Sequence, residues 1–309
     1  MQDDHDHTRR HALSCMLWAG TGVLWTISGG VPRSSLVGAA AAQPMSHDLS
    51  FIQISDSHIG FKGKPNEDAS GTLAEAIALV RGQRDQAALL LHTGDVTHLS
   101  RAGEFDTADQ LIRGAGLDTH FVPGEHDVLV DDGKPFLQRF TKGAMEGGWY
   151  SFDQQGVHFV GLNNVMNLRA GGLGRLGPDQ LEWLEDDLKD RPASQPIVVF
   201  AHIPLWTVYD QWGWGTEDSA EALAYLRRFG SVTVLNGHIH QVMQKVEGTV
   251  AFHTARSTAF PQPAPGAAPS PGPVRDVDPG RLRALLGISR VREVAGQQML
   301  AVIDQPLAG

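Results

Sequence analysis

The stretch "AALLLHTGD", residues 87–95, contains the two features that decide the fold class of this chain. Its first part is a continuous apolar run, which predicts a strand buried on both faces, as the parallel strands of α/β proteins are. Its end turns at Gly94 and presents the carboxylate of Asp95. Ligands bind outside the carboxyl ends of strands in α/β sheets. Asp95 therefore marks the end of the sheet where a functional site is expected.

The chain from residue 49 onward alternates predicted strands with predicted helices, and the predicted fold class is therefore α/β. A hairpin is predicted where two strands flank residues 154–156. Segment 261–273 is rich in Pro, Ala and Gly and is predicted to be an exposed loop. The predicted strands are 49–54, 87–92, 119–122, 149–153, 157–162, 197–201, 232–235, short strands up to Thr254, and 298–303. The predicted helices are 72–84, 102–115, one that opens at 176–179, 217–229, and one near 280–286.

Composition narrows the classes of function. The chain has 309 residues, 41% of them hydrophobic, so it can bury a sizeable core. Its formal net charge of -10 argues against a nucleic-acid polymer as partner. A small phosphate ester stays possible, because a metal ion can supply positive charge locally. The single cysteine, Cys15, excludes a thiolate metal site and a disulfide framework, so any metal must be held by histidine and carboxylate.

The N-terminus has the features of a targeting segment. Arg9 and Arg10 precede an apolar run over roughly residues 12–27, and Ala40-Ala41-Ala42 fits a small-x-small cleavage site. We predict a twin-arginine signal peptide over residues 1–42 and a mature protein, 43–309, that is periplasmic or secreted without a stable membrane anchor. An uncleaved anchor is the alternative, although the run is short for a membrane span. A lipoprotein attached through Cys15 is less consistent, because the apolar run follows that cysteine.

Polar clusters follow five of the predicted strands. Histidine with aspartate and no cysteine favours Fe, Mn or Zn. A carboxylate can bridge two such ions about 3.5–4 Å apart, as in two-metal hydrolases. A single Gly-Asp or Asp-x-His is common in turns, whereas five clusters in order, each at a strand end, are specific. The clusters are Asp56 with His58, Asp95, Glu125 with His126 and Asp127, His202, and His238 with His240.

This set of motifs resembles the calcineurin-like metallophosphoesterase superfamily over roughly residues 49–255, and "GDVTH" at 94–98 looks closer to its cyclic-nucleotide phosphodiesterase-like branch. The resemblance implies a β-sandwich flanked by helices and a hydrolase in which metal-activated hydroxide attacks phosphorus. It implies that Asp95 bridges two metal ions, that His126 stabilises the phosphoryl oxygens or protonates the leaving alcohol, and that Asp127 orients His126. The implied ligands are Asp56, His58 and His240 for one ion and His202 and His238 for the other.

Two positions depart from patterns of the superfamily. Glu125 stands where the pattern has asparagine, and it would add a negative charge beside the second ion. We therefore predict that Glu125 is a metal ligand and that diesters are preferred to monoesters; the alternative is a Glu125 side chain swung out of the site and a weakened activity. His98 stands where purple acid phosphatases have a tyrosine ligand. His98 is either an outer group of the site or a solvent-facing loop residue.

The substrate-binding residues are less certain from sequence. Four aromatic residues follow His202 and form either a pocket wall or a cap on the hydrophobic core: Trp206, Tyr209, Trp212 and Trp214. Arg169 and Arg175 either reach a substrate phosphate or are solvated. The remaining strand histidines are predicted to be packed in the core or to lie behind the metal ligands without binding metal themselves: His92, His120, His158 and His253. The predicted function is hydrolysis of small phosphodiesters such as cyclic nucleotides. The alternatives are a phosphate-scavenging phosphomonoesterase and a non-catalytic metal-binding module.

Overall fold

The computed structural model describes residues 22–28, 31–37, 49–141, 144–294, 297 and 299–308. The chain divides into two compact units, Met1–Pro44 and Met45–Gly309. In the first unit, β1 (Gly22–Ser28) pairs antiparallel with β2 (Val31–Val37). The paired arginines, Cys15 and the cleavage site at 40–42 lie outside the described residues, so the signal peptide stays a prediction. No helix in the described part of the chain is both long and apolar enough to cross a bilayer.

The second unit contains the alternating elements that the sequence predicted. Its strands are β3 (Ser50–Ile54), β4 (Leu90–His92), β5 (Thr119–Phe121), β6 (Tyr150–Gln154), β7 (Val157–Gly161), β8 (Ile197–Phe200), β9 (Val232–Asn236), β10 (Gln244–Glu247), β11 (Val250–Thr254), β12 (Gly287–Arg292) and β13 (Ala301–Pro306). Its α-helices are α1 (Ala69–Gln83), α2 (Ala102–Arg113), α3 (Lys134–Phe140), α4 (Pro178–Lys189), α5 (Ser219–Leu226) and α6 (Leu282–Leu285).

The strands of the second unit form two sheets. One has the order β13-β12-β3-β4-β5, in which β3, β4 and β5 are parallel. The other has the order β10-β11-β9-β8-β7-β6, in which β7, β8, β9 and β11 are parallel. Ile54 pairs with His92, and Phe200 pairs with Leu235, so neighbouring parallel strands end at the same level. The loops that follow them therefore leave from one edge of each sheet.

Apolar side chains fill three layers, which makes the unit a β-sandwich flanked by helices, as predicted. Phe51 of β3 and Phe159 of β7 meet between the sheets with ring centroids 5.2 Å apart. Ile52, the next residue along β3, points to the opposite face and packs under α1, α2 and α3. Helices α4 and α5 cover the other sheet through Leu184 and Leu226. Each such buried side chain contributes about 1.5–3 kcal/mol to stability.

Some elements were not predicted or were misplaced. Strand β12 lies between β3 and β13, but its sequence "GISRVR" alternates only weakly between apolar and polar residues. Helix α3 was also missed, because it is two turns long and buries only Phe136 and Phe140, with Leu137 partly buried against the same core. The last strand was predicted at 298–303 and lies at Ala301–Pro306. Segment 261–273 runs as turns and bends.

His158 of β7 is held between two carboxylates. It is fully buried, and its Nε2 lies 2.6 Å from Asp187 Oδ2 on α4. Burial raises the pKa of Asp187, but hydrogen bonds from His158 and Ser151 outweigh burial and lower that pKa below 3.8. A carboxylate whose pKa is lowered by folding stabilises the fold above its unfolded-state pKa. That contribution is lost as the pH falls through the folded-state pKa.

We expect Asp187→Asn to lower the free energy of unfolding by about 1–3 kcal/mol near neutral pH, because a charge-assisted hydrogen bond to a buried ring is weakened. The deficit relative to wild type should shrink as the pH falls below about 4, because Asp187 takes up a proton first in the unfolded chain and then, below its lowered folded-state pKa, in the folded protein. Urea unfolding at about pH 7 and about pH 3 measures both values. Asp186→Asn is the matched control, since Asp186 pairs with Lys189 at the surface. A deficit that is equal at both pH values would contradict this account.

Candidate metal centre

The loops after β3, β4, β5, β8 and β9 converge on one site. The structure brings together all seven residues that were predicted to bind metal. Among the described residues, their ligand atoms fall into overlapping groups of three whose members lie within 4.8 Å of one another. The groups that matter here are Asp56 with His58 and His240, Glu125 with His202 and His238, and Asp56 with Asp95 and His202.

The first triad consists of Asp56, His58 and His240. His240 Nε2 lies 3.2 Å from Asp56 Oδ1 and 3.3 Å from His58 Nε2. All three side chains are buried. Three ligand atoms of the types that bind Fe, Mn or Zn therefore face a common point.

The second triad consists of Glu125, His202 and His238. Glu125 Oε2 lies 2.9 Å from His202 Nε2, and Glu125 Oε1 lies 3.0 Å from His238 Nδ1. The two imidazoles approach each other to 3.3 Å. The carboxylate of Glu125 thus lies inside the triad, in the orientation that a ligand requires, and not in the swung-out orientation that the sequence left open.

Asp95 lies between the two triads. Its Oδ2 is 3.4 Å from His58 Nε2 in the first triad and 3.4 Å from His202 Nε2 in the second. Its Oδ1 accepts a hydrogen bond from the backbone N–H of His126 at 2.9 Å. One oxygen equidistant from both triads is the arrangement in which a carboxylate can be shared by two cations.

The donor set fits two metal ions. Ligand atoms about 2.0–2.2 Å from an ion lie about 3.0–3.5 Å from one another in tetrahedral or octahedral geometry. The contacts within the triads, 2.9–3.3 Å, have that spacing. Glu125 Oε2 is buried and, although it lies 2.9 Å from His202 Nε2, makes no well-aligned hydrogen bond there. In the described part of the chain, the ion pairs of Asp56, Asp95 and Glu125 are all with histidine, so their buried negative charge calls for cations.

Backbone carbonyls fix the orientation of two ligand rings. His202 Nδ1 donates to the carbonyl oxygen of Thr93 at 2.7 Å, and His240 Nδ1 donates to that of Phe260 at 2.6 Å. With Nδ1 protonated, the lone pair of each ring is on Nε2, the atom that faces its triad. Both rings are thereby prepared to bind a cation.

The electrostatics of the second triad show how strongly it favours positive charge. Burial raises the pKa of Glu125, but His238 and His202 outweigh burial and hold that pKa well below its usual range. Burial lowers the pKa of His202, but Asp95 and Glu125 outweigh burial and hold that pKa well above its usual range. Both shifts arise because carboxylates and imidazoles are packed together, and the same carboxylates of Asp95 and Glu125 would attract a cation held at this triad.

The backbone of the ligand loops is strained. Non-glycine residues rarely adopt positive φ, at a cost of about 1–3 kcal/mol each, and such strain clusters at functional sites. Two glycines let the ligand loops pack closely against each other. At Gly124 a Cβ atom would collide with the carboxylate of Asp95, and at Gly237 it would collide with Asp56 and Ser55. The strained ligands are Asp56 (φ 52°), His58 (41°), Asp95 (52°), His238 (69°) and His240 (53°).

His126 borders both triads, and a backbone carbonyl holds its ring. Its Nδ1 donates to the carbonyl oxygen of His98 at 2.7 Å, and the His98 ring stacks on it with centroids 5.0 Å apart. The carboxylate of Asp127 instead accepts backbone N–H bonds from Gly124, Val96 and Thr97 at 2.8–3.0 Å. Asp127 therefore fixes the loops that carry Asp95 and His126, and the carbonyl of His98 is the group that contacts the His126 ring; the orienting role that the resemblance implies for Asp127 stays a prediction.

The pKa values of Asp127 and His126 are both shifted by burial and by nearby charges. Burial, with the nearby charge of Asp95, raises the pKa of Asp127 to about 7. Burial lowers the pKa of His126, but Asp95 and Glu125 outweigh burial and raise it above its usual value. His126 is thus biased toward its protonated form, in which Nε2 can donate a proton.

The comparison with known sequences decides the family. Residues 49–242 match the sequence profile described as calcineurin-like phosphoesterase. The chain belongs to the calcineurin-like phosphoesterase family. A member of this family is a phosphoesterase, and the two triads joined by Asp95 fit the dimetal centre of such an enzyme.

Relatives of this phosphoesterase include named diesterases. A 3',5'-cyclic-nucleotide phosphodiesterase of Nostoc sp. is 24% identical over 218 residues, which are 69% of this chain and 79% of that protein. A probable glycerophosphodiester phosphodiesterase of Arcobacter nitrofigilis is 22% identical over 220 residues, 67% of this chain and 77% of that protein. The crystal structure of a dimetal phosphatase from Danio rerio superposes with a TM-score of 0.65 at 15% identity, over 86% of this chain and 98% of that one, which supports the shared fold.

Three of the four aromatic residues after His202 divide between two places in the phosphoesterase. Trp212 and Trp214 line a cavity of about 260 Å³ together with Glu125, His126 and His238. Trp206 packs against Phe252 on the outer face of its sheet, with ring centroids 5.1 Å apart. The pocket wall and the core cap were therefore both partly correct predictions.

The structure also places the other residues for which the sequence left alternative roles. His98 borders the site, with Nδ1 3.4 Å from His58 Nδ1, so it is an outer group of the centre. Arg169 and Arg175 both approach Glu217, at 2.8 and 3.7 Å. The remaining strand histidines are packed as predicted: His92 on Ser57, His120 on Phe152, His158 on Asp187, and His253 on Asp304.

Proposed function

We propose that this phosphoesterase hydrolyses small phosphodiesters, with cyclic nucleotides as its main substrate class. The observation that carries the proposal is the Glu125 carboxylate, which lies 2.9 and 3.0 Å from the ring nitrogens of His202 and His238. The superfamily pattern has a neutral amide there. The centre therefore holds three carboxylates, Asp56, Asp95 and Glu125, where the pattern supplies two.

The added charge discriminates between substrate classes. A phosphomonoester brings two negative charges near neutral pH, whereas a diester brings one. A unit charge at about 4 Å costs about 1 kcal/mol in water and about 4 kcal/mol at a protein surface. Even the lower figure favours the diester by about fivefold to tenfold. The names of the relatives from Nostoc sp. and Arcobacter nitrofigilis, both diesterases, support the same class.

The residues of the metal centre have different roles in the proposed hydrolysis. Two cations held by the triads would supply positive charge for the phosphate and lower the pKa of water. Asp95 fixes the separation of the triads and, through the His126 N–H, the position of the loop that bears His126. The His98 carbonyl holds His126 Nδ1, so Nε2 is the nitrogen that can donate a proton to the departing alkoxide.

The identity of the metals and the location of the enzyme belong to the same proposal. The donor set of imidazole and carboxylate suits Fe, Mn or Zn, and elemental analysis of the purified protein identifies which is bound. We propose that residues 1–42 are a twin-arginine signal peptide and that the mature enzyme acts in the periplasm or outside the cell. N-terminal sequencing of protein recovered from the periplasmic fraction tests cleavage near Gln43.

Glu125→Asn tests the substrate class. We expect monoester turnover to rise relative to diester turnover by about fivefold to tenfold, because the variant removes one negative charge beside the phosphate. The measurement is kcat/KM for 4-nitrophenyl phosphate and for bis(4-nitrophenyl) phosphate with the metal-loaded protein. Glu247→Asn is the matched control, since it removes the same charge from an exposed strand where Glu247 pairs with Lys245.

Three outcomes would overturn this proposal. An unchanged ratio in Glu125→Asn would show that the charge of Glu125 does not select the substrate, and a wild-type preference for the monoester would make the enzyme a phosphomonoesterase. Hydrolysis of neither substrate by metal-loaded protein would favour a non-catalytic metal-binding module.

A further inference from the structure

A cavity of about 260 Å³ opens beside the metal centre. Its inner wall is formed by Glu125, His126 and His238, and its outer wall is formed by residues from three other loops. We call it the tryptophan pocket after the side chains of Trp212 and Trp214 that line it. A cavity of this size holds one ring system of a ligand rather than a whole ligand, for which about 300–1,000 Å³ is usual.

The tryptophan wall is rigid and is joined to the metal-binding loop. Trp212 and Trp214 meet edge to face with ring centroids 5.0 Å apart. Both pack against Ile239, the buried residue between the ligands His238 and His240. Gly213 between the tryptophans has a φ of 71° and lies directly on the backbone of Gly172, where any Cβ atom would clash. The indoles are therefore held in place before a substrate arrives.

The opposite wall comes from the Pro-rich segment 261–273, and Gln262 holds it there. Gln262 Nε2 donates to the carbonyl oxygen of His238 at 2.9 Å, while its Oε1 accepts from the N–H of Gly272 at 3.2 Å. Gln241 adds a hydrogen bond to the carbonyl oxygen of Pro263 at 2.7 Å. The segment that the sequence marked as a loop thus carries Pro271 and Gly272 to the mouth of the tryptophan pocket.

The residues that line the tryptophan pocket determine which chemical group of a ligand it can bind. Apart from the three residues of the metal centre, the residues that line the cavity are uncharged, and they include Leu168, Trp212, Trp214 and Pro271. No lysine or arginine of the described chain is among them. A second anionic group would therefore lie beside Glu125 with no lysine or arginine to pair with, whereas an uncharged planar group would meet an indole. Stacking on an aromatic side chain contributes about 1–3 kcal/mol per base.

We propose that the tryptophan pocket binds an uncharged planar substituent of the phosphodiester, such as a nucleobase, and that Trp212 is the residue that selects it. This inference rests on the proposed diesterase function and extends it to the part of the substrate that does not react. His126 lines the same pocket, so the planar group lies on the side of the centre where the proton donor stands.

The test compares Trp212→Ala with wild type on two matched substrates, adenosine 3',5'-cyclic monophosphate and 1-O-methylribose 3',5'-cyclic phosphate, which lacks the base. We expect KM for the base-bearing substrate to rise about tenfold, as the loss of roughly 1.4 kcal/mol of stacking requires. KM for the substrate without the base should change less than twofold. Trp212→Phe, which keeps an aromatic face, should restore most of the difference. Trp206→Ala is the control, because Trp206 packs on Phe252 away from the pocket.

A second readout separates this inference from the proposed function. Adenosine, which has no phosphate, should quench tryptophan fluorescence in wild type and not in Trp212→Ala. Quenching by adenosine without hydrolysis of any diester would support the pocket and overturn the diesterase function. Hydrolysis of both substrates with equal KM, and no quenching, would overturn the pocket and leave the diesterase function intact.

Discussion

Asp95→Asn is expected to lower kcat for diester hydrolysis by at least about 10³-fold, equivalent to about 4 kcal/mol of transition-state stabilisation. Asp95 Oδ2 is the atom that stands 3.4 Å from a histidine of each triad, so its loss separates two ligand sets that otherwise share an oxygen. The amide of asparagine is neutral and is a poor bridging ligand for two cations. We expect the bound metal to fall from two ions per chain to one or fewer, as measured by elemental analysis of the dialysed protein.

The control for this variant is Asp85→Asn. Asp85 pairs with Arg84 at the surface, where its side chain is 93% exposed, so the same chemical change there should leave metal content and kcat within twofold of wild type. Two tightly bound ions in Asp95→Asn would contradict the bridging role, even if activity were lost.

His126→Gln is expected to lower kcat by about 10²–10⁴-fold while leaving two ions bound, because His126 is assigned to proton transfer and not to metal binding. The size of the loss should depend on the leaving group. A 4-nitrophenolate leaves without protonation, so its esters should be affected least, and an alkoxide should be affected most. The measurement is a comparison of kcat for bis(4-nitrophenyl) phosphate and for a cyclic nucleotide, with metal content determined on the same samples.

His120→Gln is the matched control, since His120 stacks on Phe152 between the strands β5 and β6 and lies outside the centre. An equal loss for both leaving groups in His126→Gln would contradict proton donation. Such a result would assign His126 instead to stabilising the phosphoryl oxygens, the other role that the resemblance implied.

The position of the site could be predicted from sequence because strand ends carry a strong local signal. Apolar runs such as residues 87–92 and 197–201 predict strands buried on both faces, and a predicted ligand follows each run within three residues. Parallel strands that end at one level bring those residues together without further information. The fold follows from the same runs, together with the amphipathic helices between them.

The features of the fold and the site that could not be predicted depend on contacts that do not require a particular type of side chain. The partner of His126 is the backbone carbonyl of His98, and any residue could supply such an oxygen. The tryptophan pocket depends on a turn at Gly213 and on Gln262, which joins segments far apart in sequence. Strand β12 is specified chiefly by its pairing with β3 and β13, because its own alternation of apolar and polar residues is weak.

The most direct test of the dimetal centre is anomalous diffraction from crystals of the protein loaded with Mn²⁺. We expect two peaks about 3.5–4 Å apart. One should be bound by Asp56, His58 and His240, the other by Glu125, His202 and His238, with Asp95 in contact with both. A single peak, or peaks held by surface carboxylates with the triads empty, would contradict this expectation.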